Sequence, residues 1–418
     1  ILHQVPRTMK IVIIGAGIAG VVTLKYALNA GHECDVFEQT GELGGTWVYS
    51  DQTDMDEFGF PSHRTMYKGL ITNLPKEVME FHNFRYPSAV EKSFLTQPEV
   101  LHYVQSYAYQ YNLHNKVKYY KRVTKVAPVG TQWSLTVLDL KTKVETSLRY
   151  DAVFVCNGHF FHPHIPNIEG QDIFKGSQLH SRDYRTPEKF KNKRVLIIGG
   201  SYSGSDIASH ILSSARSVKM SHHSPITIRL ADGVTTKPAV VKLNENQVMF
   251  SDDSDEEVDV ILYCTGYKYF YPFLTEECGI KVEDNWVRNL YKHIVNVERP
   301  TLLFIGIPFL TCAFPTCDIQ ARFALATLEK KVALPSKEEM VKELNEHVNN
   351  LRRNNIPQRH IHKIGSYFGE YLNDLAKLAK IEPLPPAVIK LYKHFIEDKP
   401  IREATRKYVL VDNENYKE

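Results

Sequence analysis

Residues 174–206, FKGSQLHSRDYRTPEKFKNKRVLIIGGSYSGSD, decide how this chain folds. They contain an apolar strand at 195–198, then a turn rich in glycine and serine, then the start of a helix. The same plan occurs upstream, where the apolar strand at 11–14 leads into a G-x-G-x-x-G turn. A strand, a glycine turn and a helix in this order are typical of a mononucleotide-binding fold. Two such folds in one chain predict two dinucleotides, one of which can pass electrons to the other.

The upstream fold has the features expected of a dinucleotide site. Residues 11–14 are four β-branched residues in a row, as in a strand buried on both faces of a parallel sheet. The turn after them lets a pyrophosphate sit on the N-terminus of a helix expected over 18–30. Glu38 ends the next strand, 23 residues after Gly15, where a carboxylate can accept from a ribose 2'-hydroxyl; a solvated acid is the alternative. The predicted site comprises Gly15, Ala16, Gly17, Ile18, Ala19, Gly20 and Glu38.

The downstream fold differs from the upstream one at two positions. Residue 222, which is 23 positions after Gly199, is a histidine instead of an acid. Because an acid there would repel a 2'-phosphate, its absence favours NADP over NAD. Ser201 replaces the central glycine, and serine hydroxyls can donate to phosphate beside a helix N-terminus. The candidate phosphate contacts, with solvated loop histidines as the alternative for the last two, are Ser201, Ser203, Ser205, Ser221, His222 and His223.

Three further segments each allow two interpretations. The glycine pair before Trp47 suits a backbone pressed against a flat ligand, although loop glycines and a core tryptophan are the simpler interpretation. Asn73 precedes a Pro-Lys-Glu helix start, where asparagine is usually a cap or turn residue, yet its carboxamide could also meet a ligand edge. The histidines of 159–166, HFFHPHIP, are loosely spaced without a carboxylate, so we interpret this segment as a linker between domains rather than a metal site.

The composition indicates a folded chain with a large core. Of its 418 residues 43% are hydrophobic and 24% charged, which predicts two domains and excludes fibrous and disordered classes. The net charge of +3 and the lack of basic runs interleaved with aromatics argue against nucleic acid as a partner. The six cysteines form no C-x-x-C pair and no metal-ligand spacing, so we expect small buried residues of a reduced protein.

The sequence also bears on the compartment. No segment approaches the roughly 18 uninterrupted apolar residues that a membrane helix needs, so we expect a soluble protein without a membrane anchor. The sequence begins at Ile1 instead of methionine, so residues 1–8 are either an added remnant before Met9 or the end of a processed precursor. The first case predicts a cytoplasmic protein, and the second predicts one secreted after its signal peptide is removed.

The order of elements predicts an α/β protein with two Rossmann-like domains, one inserted into the other, and a helical C-terminal region. Residues 117–126 and 133–140 alternate like strands of an antiparallel layer. A helix is expected to start at 318–323, with polar side chains at i and i+2 that cannot all face the core. The domains are placed at 1–169 for the first part of one, at 170–275 for the inserted one, and at 276–418 for the remainder with its helices.

From residue 9 to residue 322 the chain resembles the flavin-containing monooxygenases, which are class B flavoprotein monooxygenases. The most specific feature is the family motif F-x-G-x-x-x-H-x-x-x-Y, present as Phe174, Gly176, His180 and Tyr184. The family's other motifs are Gly-Gly-Thr-Trp, Thr-Asn and Ala-Thr-Gly-Tyr, which stand here at 44–47, at 72–73 and, with cysteine in place of alanine, at 264–267. Within the family the chain most resembles the soluble insect enzymes that N-oxygenate pyrrolizidine alkaloids such as senecionine.

The resemblance implies FAD on the upstream fold and NADPH on the downstream fold. It gives Asn73 the catalytic position, in contact with both cofactors. To the residues already named for FAD it adds Gly45, Thr46, Trp47, Thr72, Asn73 and Val123. To those named for NADPH it adds Gly199, Tyr202, Gly204 and Asp206. It also implies that Thr265, Gly266 and Gln320 lie near the cofactors.

The resemblance also implies a reaction. NADPH would reduce FAD, the reduced flavin would add O2 as a C4a-hydroperoxide, and a soft nucleophile would take the distal oxygen. Asn73 and bound NADP⁺ would shield that adduct from water, so the cofactor carries the chemistry while the protein orients it. The expected partners are O2 and a small amine or sulfide, favouring tertiary amines such as pyrrolizidine alkaloids, and a further copy of the chain in a homo-oligomer.

Three other classes of protein are alternatives to this one. A Baeyer–Villiger monooxygenase would use the same cofactors on ketones, but related enzymes of that type typically have tryptophan where this chain has Tyr184. A disulfide reductase with two dinucleotides needs a redox cysteine pair, which the sequence lacks at C-x-x-C spacing. The third alternative is an NADPH oxidase or a non-catalytic flavin-binding protein. Neither of these would transfer oxygen to a substrate.

Overall fold

The computed structural model describes residues 8–223, 230–398 and 406–418. Residues 1–7, which belong to the segment before Met9, lie outside that description. The described chain divides into two compact units. The first unit is formed by the described residues of 1–48, 74–159 and 269–418, and the second by those of 49–73 and 160–268. The domain limits expected at residues 170 and 275 remain predictions.

A seven-stranded sheet forms the centre of the first unit. Lys10–Ile14 lies within it, and its residues 11–13 have no exposed surface because both faces of the sheet are covered. One strand, Val295–Asn296, runs antiparallel to both of its neighbours, and all other neighbouring strands of this sheet pair in parallel. In spatial order the strands are Leu290–Tyr291, Val295–Asn296, Leu302–Phe304, Ala152–Val155, Lys10–Ile14, Glu33–Phe37 and Val117–Lys118.

Smaller antiparallel sheets complete the strands of the first unit. The expected antiparallel layer is present as three strands, Lys121–Val129, Gln132–Asp139 and Glu145–Tyr150. The prediction for 117–126 was wrong at its start, because Val117–Lys118 pairs with the parallel sheet instead. Along Gln132–Asp139, buried residues alternate with less buried ones, as the sequence pattern predicts. Two short hairpins pair Val282–Glu283 with Trp286–Val287 and Val409–Leu410 with Tyr416–Lys417.

The second unit is built on a five-stranded parallel sheet. Arg194–Ile198 is its central strand, and residues 195–197 are almost completely buried. The strands in spatial order are Val234–Lys237, Ser217–Ser221, Arg194–Ile198, Val260–Tyr263 and Ser177–His180. An antiparallel layer and a two-stranded pair accompany this sheet, with strands Val240–Leu243, Gln247–Phe250 and Asp255–Glu257, and His162–Pro163 with Tyr267–Lys268. Each unit therefore has the parallel sheet of a Rossmann-like fold.

Seven α-helices occur in the described residues. They are α1 (Ile18–Asn29), α2 (Gln97–Gln110), α3 (Tyr202–Ile211), α4 (Ala313–Leu328), α5 (Lys337–Arg353), α6 (Phe368–Ala379) and α7 (Pro386–Glu397). Only α3 belongs to the second unit. Short 3-10 helices span Gly45–Trp47, Lys76–Val78, His114–Lys116, Ser181–Asp183, Pro187–Phe190, Glu276–Cys278, Gln358–His360 and Gly365–Tyr367. Among the helices described here, none is long and apolar enough to cross a membrane.

The sequence expectation for α4 was wrong in two respects. The helix begins at Ala313, five residues before the expected start, and it packs against α1 and α6 in the core. Asp318 and Gln320 are 1% and 0% exposed, so both polar side chains face the interior. Such burial is tolerated because each finds partners: Tyr26 Oη donates to the Asp318 carboxylate, and the Gln320 amide is bonded at both ends.

Candidate cofactor-binding sites

The G-x-G-x-x-G turn of the first unit is joined to Glu38 by a hydrogen bond. The backbone N–H of Ala16 donates to Glu38 Oε2 at 2.9 Å, and Thr40 donates to Oε1 from its N–H and its hydroxyl. This contact forms because the parallel strands Lys10–Ile14 and Glu33–Phe37 are neighbours and end at the same edge of the sheet. Glu38 is 7% exposed, so it is a buried carboxylate held beside the turn and not a solvated acid.

A second glycine motif packs directly against this turn. Gly44 N donates to Ala16 O at 3.1 Å, and a Cβ on Gly45 would lie 2.8 Å from Gly17 Cα. Glycine at position 45 is therefore required by close backbone approach as well as by its φ of 59°. The structure thus joins two motifs that lie some thirty residues apart in the sequence. Both belong to the predicted FAD contacts, and together they form one glycine-lined surface.

The helices that follow the two glycine turns have open N-termini. In the described part of the chain, the N-cap residues Gly17 and Ser201 make no side-chain capping hydrogen bond, and neither α1 nor α3 has an acid in its first turn. In contrast α2 and α5 each begin with a complete capping box, made by Thr96 with Glu99 and by Ser336 with Glu339. Because the N-terminus of a helix carries partial positive charge, the starts of α1 and α3 suit the phosphates of two dinucleotides.

The turn of the second unit repeats the geometry of the first. Gly204 lies in the first turn of α3, where a Cβ would be 2.3 Å from Gly199 O, so only glycine fits this close approach. Gly199 N donates to Ser221 O at 3.0 Å, which holds the turn against the neighbouring strand. Ser201 is exposed at the N-cap, and Tyr202, Ser203, Ser205 and Asp206 follow it in α3. The predicted NADPH contacts around this turn are therefore brought together.

The residues after strand Ser217–Ser221 differ from their counterparts in the first unit. No carboxylate occupies the place that Glu38 has there; His222 and His223 follow the strand instead. Ser221 is 1% exposed and its hydroxyl donates to Pro238 O at 2.6 Å, so its proton is directed into the protein. This strand end suits a cofactor whose ribose bears a phosphate, because it lacks the acid that would repel one.

The family motif fixes the segment around Thr265 and Gly266. His180 Nε2 donates to Gly266 O at 3.0 Å, and the other ring nitrogen accepts from Arg182 N at 3.1 Å. Thr265 Oγ1 also donates to the backbone carbonyl of His164. His180 is 2% exposed, and burial lowers the pKa of its ring to about 4, so the ring is neutral at pH 7. The motif histidine is thus a positioning residue for the loop after strand Val260–Tyr263.

The motif tyrosine is part of a buried pair that sequence reasoning missed. Tyr184 is 1% exposed, and its hydroxyl lies 2.6 Å from His210 Nδ1 on α3. Tyr67, which is in edge-to-face contact with Tyr184, donates from its hydroxyl to Asp206 Oδ2. Both contacts anchor α3, the helix whose start holds the predicted phosphate contacts. No local pattern around Tyr67 could have identified its partner, since Asp206 is 139 positions away.

The side-chain amide of Gln320, which was predicted to lie near the cofactors, is hydrogen-bonded at both ends to other residues of the chain. Its Oε1 accepts from Gly306 N at 2.8 Å, and its Nε2 donates to Tyr371 Oη at 2.7 Å. Gly306 O in turn lies 3.0 Å from His159 Nδ1. A Cβ on Gly306 would be 3.8 Å from Ala19 Cβ, so this loop passes beside the first turn of α1. The Gln320 side chain therefore acts through Gly306, and its contact with a cofactor stays a prediction.

The remaining predicted contacts have mixed environments. Val123 is 7% exposed in strand Lys121–Val129, and Trp47 is partly buried against the main core while Gln97 donates to its carbonyl oxygen. Thr46 lies between Gly45 and Trp47 in the 3-10 helix. Thr72 is 3% exposed, whereas the neighbouring Asn73 is exposed and so presents its carboxamide at a surface of the second unit. These roles remain predictions.

The described residues contain no group of three or more His, Cys, Asp or Glu side chains that could hold a metal ion. His162 belongs to a short strand and His164 lies 3.3 Å from Thr265 O through its Nδ1. All six cysteines are free, and five of them are buried as expected. Burial raises the pKa of the Cys156 and Cys264 thiols to about 12, so both stay protonated at neutral pH.

These features fit two dinucleotides: glycine surfaces, open helix N-termini, and a carboxylate beside one turn only.

Comparison with known proteins points the same way. A family model described as flavin-binding monooxygenase-like matches residues 8–229 and 223–394. Senecionine N-oxygenase of Tyria jacobaeae is 31% identical over 426 residues, covering 100% of this chain and 90% of the relative. Flavin-containing monooxygenase FMO GS-OX-like 4 of Arabidopsis thaliana is 32% identical over 397 residues, covering 88% of this chain and 87% of the relative.

Among solved structures, S-allyl-L-cysteine S-oxygenase from Allium sativum matches with a TM-score of 0.89 and 31% sequence identity. The match covers 96% of each chain, so both units have counterparts in that enzyme. The relatives are thus named for oxygen transfer to nitrogen in one case and to sulfur in another.

Proposed function

This chain belongs to the flavin-binding monooxygenase-like family, and on that premise we propose that it transfers one oxygen atom from O2 to a soft nitrogen or sulfur nucleophile. The enzyme is an FAD-containing monooxygenase that depends on NADPH. The proposed substrates are tertiary amines such as pyrrolizidine alkaloids, with sulfides as the second class. For an amine, the reaction converts amine, O2, NADPH and one proton into amine N-oxide, NADP⁺ and water.

One observation carries the proposal: the two glycine turns are alike, but among the described residues only the first has a carboxylate beside it. Glu38 is suited to the ribose hydroxyls of FAD, and the strand end before His222 is suited to the 2'-phosphate of NADPH. This difference suits one site to FAD and the other to NADPH, the two cofactors that the proposed reaction requires. The names of the senecionine and S-allyl-cysteine enzymes support nitrogen and sulfur as the acceptors.

FAD, when bound, supplies the redox chemistry and the activation of O2, which no amino-acid side chain can supply. The chain's own residues bind, orient and exclude water. The turn 15–20 and the start of α1 would hold the pyrophosphate, with Glu38 on the ribose. The start of α3 would hold the phosphates of NADPH. We assign to Asn73 the hydrogen bonds that orient and shield the reacting edge of the flavin, because its carboxamide both donates and accepts.

The cysteines argue against a disulfide reductase. Such an enzyme passes electrons through a thiolate, and the pKa values of the Cys156, Cys264 and Cys312 thiols are raised to about 12 by burial. Among the described residues all cysteines are free thiols in the structure. The proposed reaction needs no side-chain nucleophile, which agrees with this arrangement.

The decisive experiment is oxygen-dependent NADPH consumption by the yellow holoenzyme, measured over a panel of tertiary amines, alkaloids, thioethers and a cyclic ketone. We expect consumption to rise with amines or thioethers, and the product mass to increase by one oxygen atom per NADPH used. NADPH added without O2 should bleach the yellow colour. A holoenzyme that converts only the ketone would instead be a Baeyer–Villiger enzyme, and one that is not bleached by NADPH would refute the proposed reaction.

Two further points remain predictions. A homo-oligomer is expected, and light scattering coupled to size-exclusion chromatography would show whether the holoenzyme exceeds the 48.0 kDa of one chain. We propose a cytoplasmic location over secretion. Detecting the native protein in the cytosolic fraction or in the secreted fraction of its cells would distinguish the two.

A further inference from the structure

Asn73, to which the proposed function gives the reacting edge of the flavin, belongs to the second unit. It is the last residue of the segment 49–73, which forms that unit together with residues 160–268 and so with α3. The start of α3 is the predicted site of the NADPH phosphates. The residues just before Asn73 decide how it is held relative to this helix.

Tyr67 ties the segment before Asn73 to one face of α3. It is 8% exposed, and its hydroxyl donates to Asp206 Oδ2. The centroid of its ring lies 6.0 Å from that of the His210 imidazole. Asp206 and His210 are four residues apart on α3, so their side chains lie on the same face of the helix. Tyr67 therefore contacts two successive turns of α3.

The imidazole of His210 is held by the motif tyrosine. Tyr184 Oη lies 2.6 Å from His210 Nδ1, and the Tyr184 ring is in edge-to-face contact with Tyr67 at 5.1 Å between centroids. Beside these rings, the backbone N–H of Lys68 donates to Arg185 O at 3.0 Å. A displacement of the imidazole would break its contact with the motif tyrosine.

Gly69 approaches this held imidazole closely. Its φ is 81°, and a Cβ at this position would lie 3.0 Å from His210 Nε2 and 3.4 Å from His210 Cε1. Because Tyr184 holds the other ring nitrogen, the imidazole has little room to give way. Glycine at position 69 therefore lets the backbone lie directly against α3.

Two of the three residues between Gly69 and Asn73 are also held. Leu70 N donates to Tyr67 O at 3.4 Å, and the Leu70 side chain packs against the core of the second unit. Thr72 is 3% exposed. The segment is thus fixed from Tyr67 to within one residue of Asn73, whose own side chain is exposed.

We propose that Tyr67 is a positioning residue for Asn73: its hydrogen bond to Asp206 docks the segment 67–73 on α3, so the helix whose start would hold NADPH also sets the place of the Asn73 carboxamide. This rests on the proposed function, which assigns Asn73 to the flavin. An error of about 1 Å in the place of a reacting group can cost on the order of a hundredfold in rate, so a residue that excludes water needs such a tie. Tyr67 acts through Asn73 and takes no part in the chemistry itself.

Tyr67→Phe tests the tie, because it removes the hydroxyl and keeps the ring contacts. In an uncoupled cycle NADPH, O2 and one proton give NADP⁺ and hydrogen peroxide in place of the oxygenated product. We expect product per NADPH to fall about twofold or more, with the KM for NADPH within about twofold of the wild type. Tyr49→Phe is the matched control and should stay coupled, since the Tyr49 hydroxyl donates to Asp51 at the surface of the same unit.

Gly69→Ala tests the same docking by crowding. The added Cβ would press on the held imidazole, so product per NADPH should fall here as well. Gly59→Ala is its control: Gly59 also has a φ of 81°, but beyond its chain neighbours no described atom lies within 4 Å of an added Cβ. Backbone strain alone would affect both variants equally, whereas the docking predicts uncoupling in Gly69→Ala only.

Hydrogen exchange of the segment 67–73 in the holoenzyme is a readout that does not depend on oxygenation. Exchange should be faster in Tyr67→Phe and Gly69→Ala than in the wild type, and unchanged in the two controls. Wild-type exchange or wild-type product per NADPH in Tyr67→Phe would overturn the inference. So would a KM for NADPH raised about tenfold, because the tyrosine would then act on NADPH binding.

The failure of the proposed function would look different. A wild-type holoenzyme that oxygenates no compound of the panel would refute the proposed function. Faster exchange of 67–73 in Tyr67→Phe, with Tyr49→Phe unchanged, would even then support the docking of this segment on α3.

Discussion

Gln320 and Gly306 are joined by a hydrogen bond of 2.8 Å, in which the side-chain Oε1 accepts from the backbone N–H. The glutamine lies on α4 and is 0% exposed, and the glycine lies on the loop that passes the first turn of α1. A buried amide with both ends bonded is specific to one arrangement, because displacing it would leave two polar groups unpaired. The pair therefore ties a core helix to the predicted FAD site.

Gln320→Leu should weaken FAD binding and lower the free energy of unfolding. The substitution leaves the Gly306 N–H without its acceptor and removes the donor to Tyr371 Oη, at about 1–3 kcal/mol for each buried group left unpaired. FAD retention on gel filtration and denaturant unfolding are the measurements. Tyr371→Phe is the matched control, since it loses stability but keeps the Gly306 contact and should keep FAD. Wild-type FAD affinity in Gln320→Leu would contradict the positioning role.

Arg185→Lys should destabilise the second unit by on the order of 3 kcal/mol, because a lysine has three donors at one point and cannot reach five carbonyls. Arg185 is 4% exposed, and its guanidinium uses all five of its N–H donors. They reach the carbonyl oxygens of Ser50, Gln52, Arg64, Arg182 and Tyr184 at 2.6–3.0 Å. Chemical denaturation checks this, with the exposed Lys191→Met as control. A loss as small as that of the control would show that these bonds are individually weak.

Acid should destabilise the protein in the range from pH 6.5 down to about pH 4, partly through His180. Its pKa is lowered by burial to about 4, and an unfolded histidine has a pKa of about 6.5, so the unfolded state binds the proton first as the pH falls. The stabilisation is complete above pH 6.5 and lost on the way to pH 4, up to on the order of 3 kcal/mol. Unfolding free energy should be measured against pH for the wild type and His180→Gln. The variant should show a shallower fall, and parallel curves would remove His180 from the explanation.

Asn73→Ala should uncouple NADPH oxidation from substrate oxygenation while FAD stays bound. The reason is that the reacting edge of the flavin loses its donor and acceptor and becomes open to water, so hydrogen peroxide replaces the oxygenated product. Product and peroxide per NADPH are the quantities to measure. Asn246→Ala, an exposed asparagine in a turn of the second unit, is the control. Unchanged product per NADPH in Asn73→Ala would remove this residue from the site.

His222→Asp should raise the KM for NADPH about tenfold or more and leave that for NADH nearly unchanged. A carboxylate at this strand end would lie near the 2'-phosphate, and two like charges 4 Å apart repel by about 1 kcal/mol in water and about 4 kcal/mol at the dielectric constant of a protein surface. Steady-state kinetics with both nucleotides gives the ratio of the KM for NADPH to the KM for NADH. His222→Asn tests whether the charge or the loss of the ring matters, and it should leave the ratio close to that of the wild type. Equal rises for both nucleotides in His222→Asp would place the phosphate elsewhere.

Elements with a strong local signal agreed with the sequence to within a residue or two. The helix expected over 18–30 spans Ile18–Asn29, and the strand expected at 195–198 spans Arg194–Ile198. These agree because a run of β-branched residues, a glycine turn and the helix after it are all specified within about twenty residues. The start of α4 had no such signal, since proline and cysteine inside its first turns hid it.

Three features were determined by the sequence itself. They are the two units made of a strand, a glycine turn and a helix, the carboxylate that follows only the first unit, and the family to which the motifs belong. Each of these depends on residues close together in the chain. Only the tertiary structure decided that Asp318 and Gln320 face the core, because Tyr26 lies 292 positions from Asp318 and Tyr371 lies 51 positions from Gln320. Burying a polar side chain is favourable only when such distant partners meet it, and no local pattern records where a partner will be.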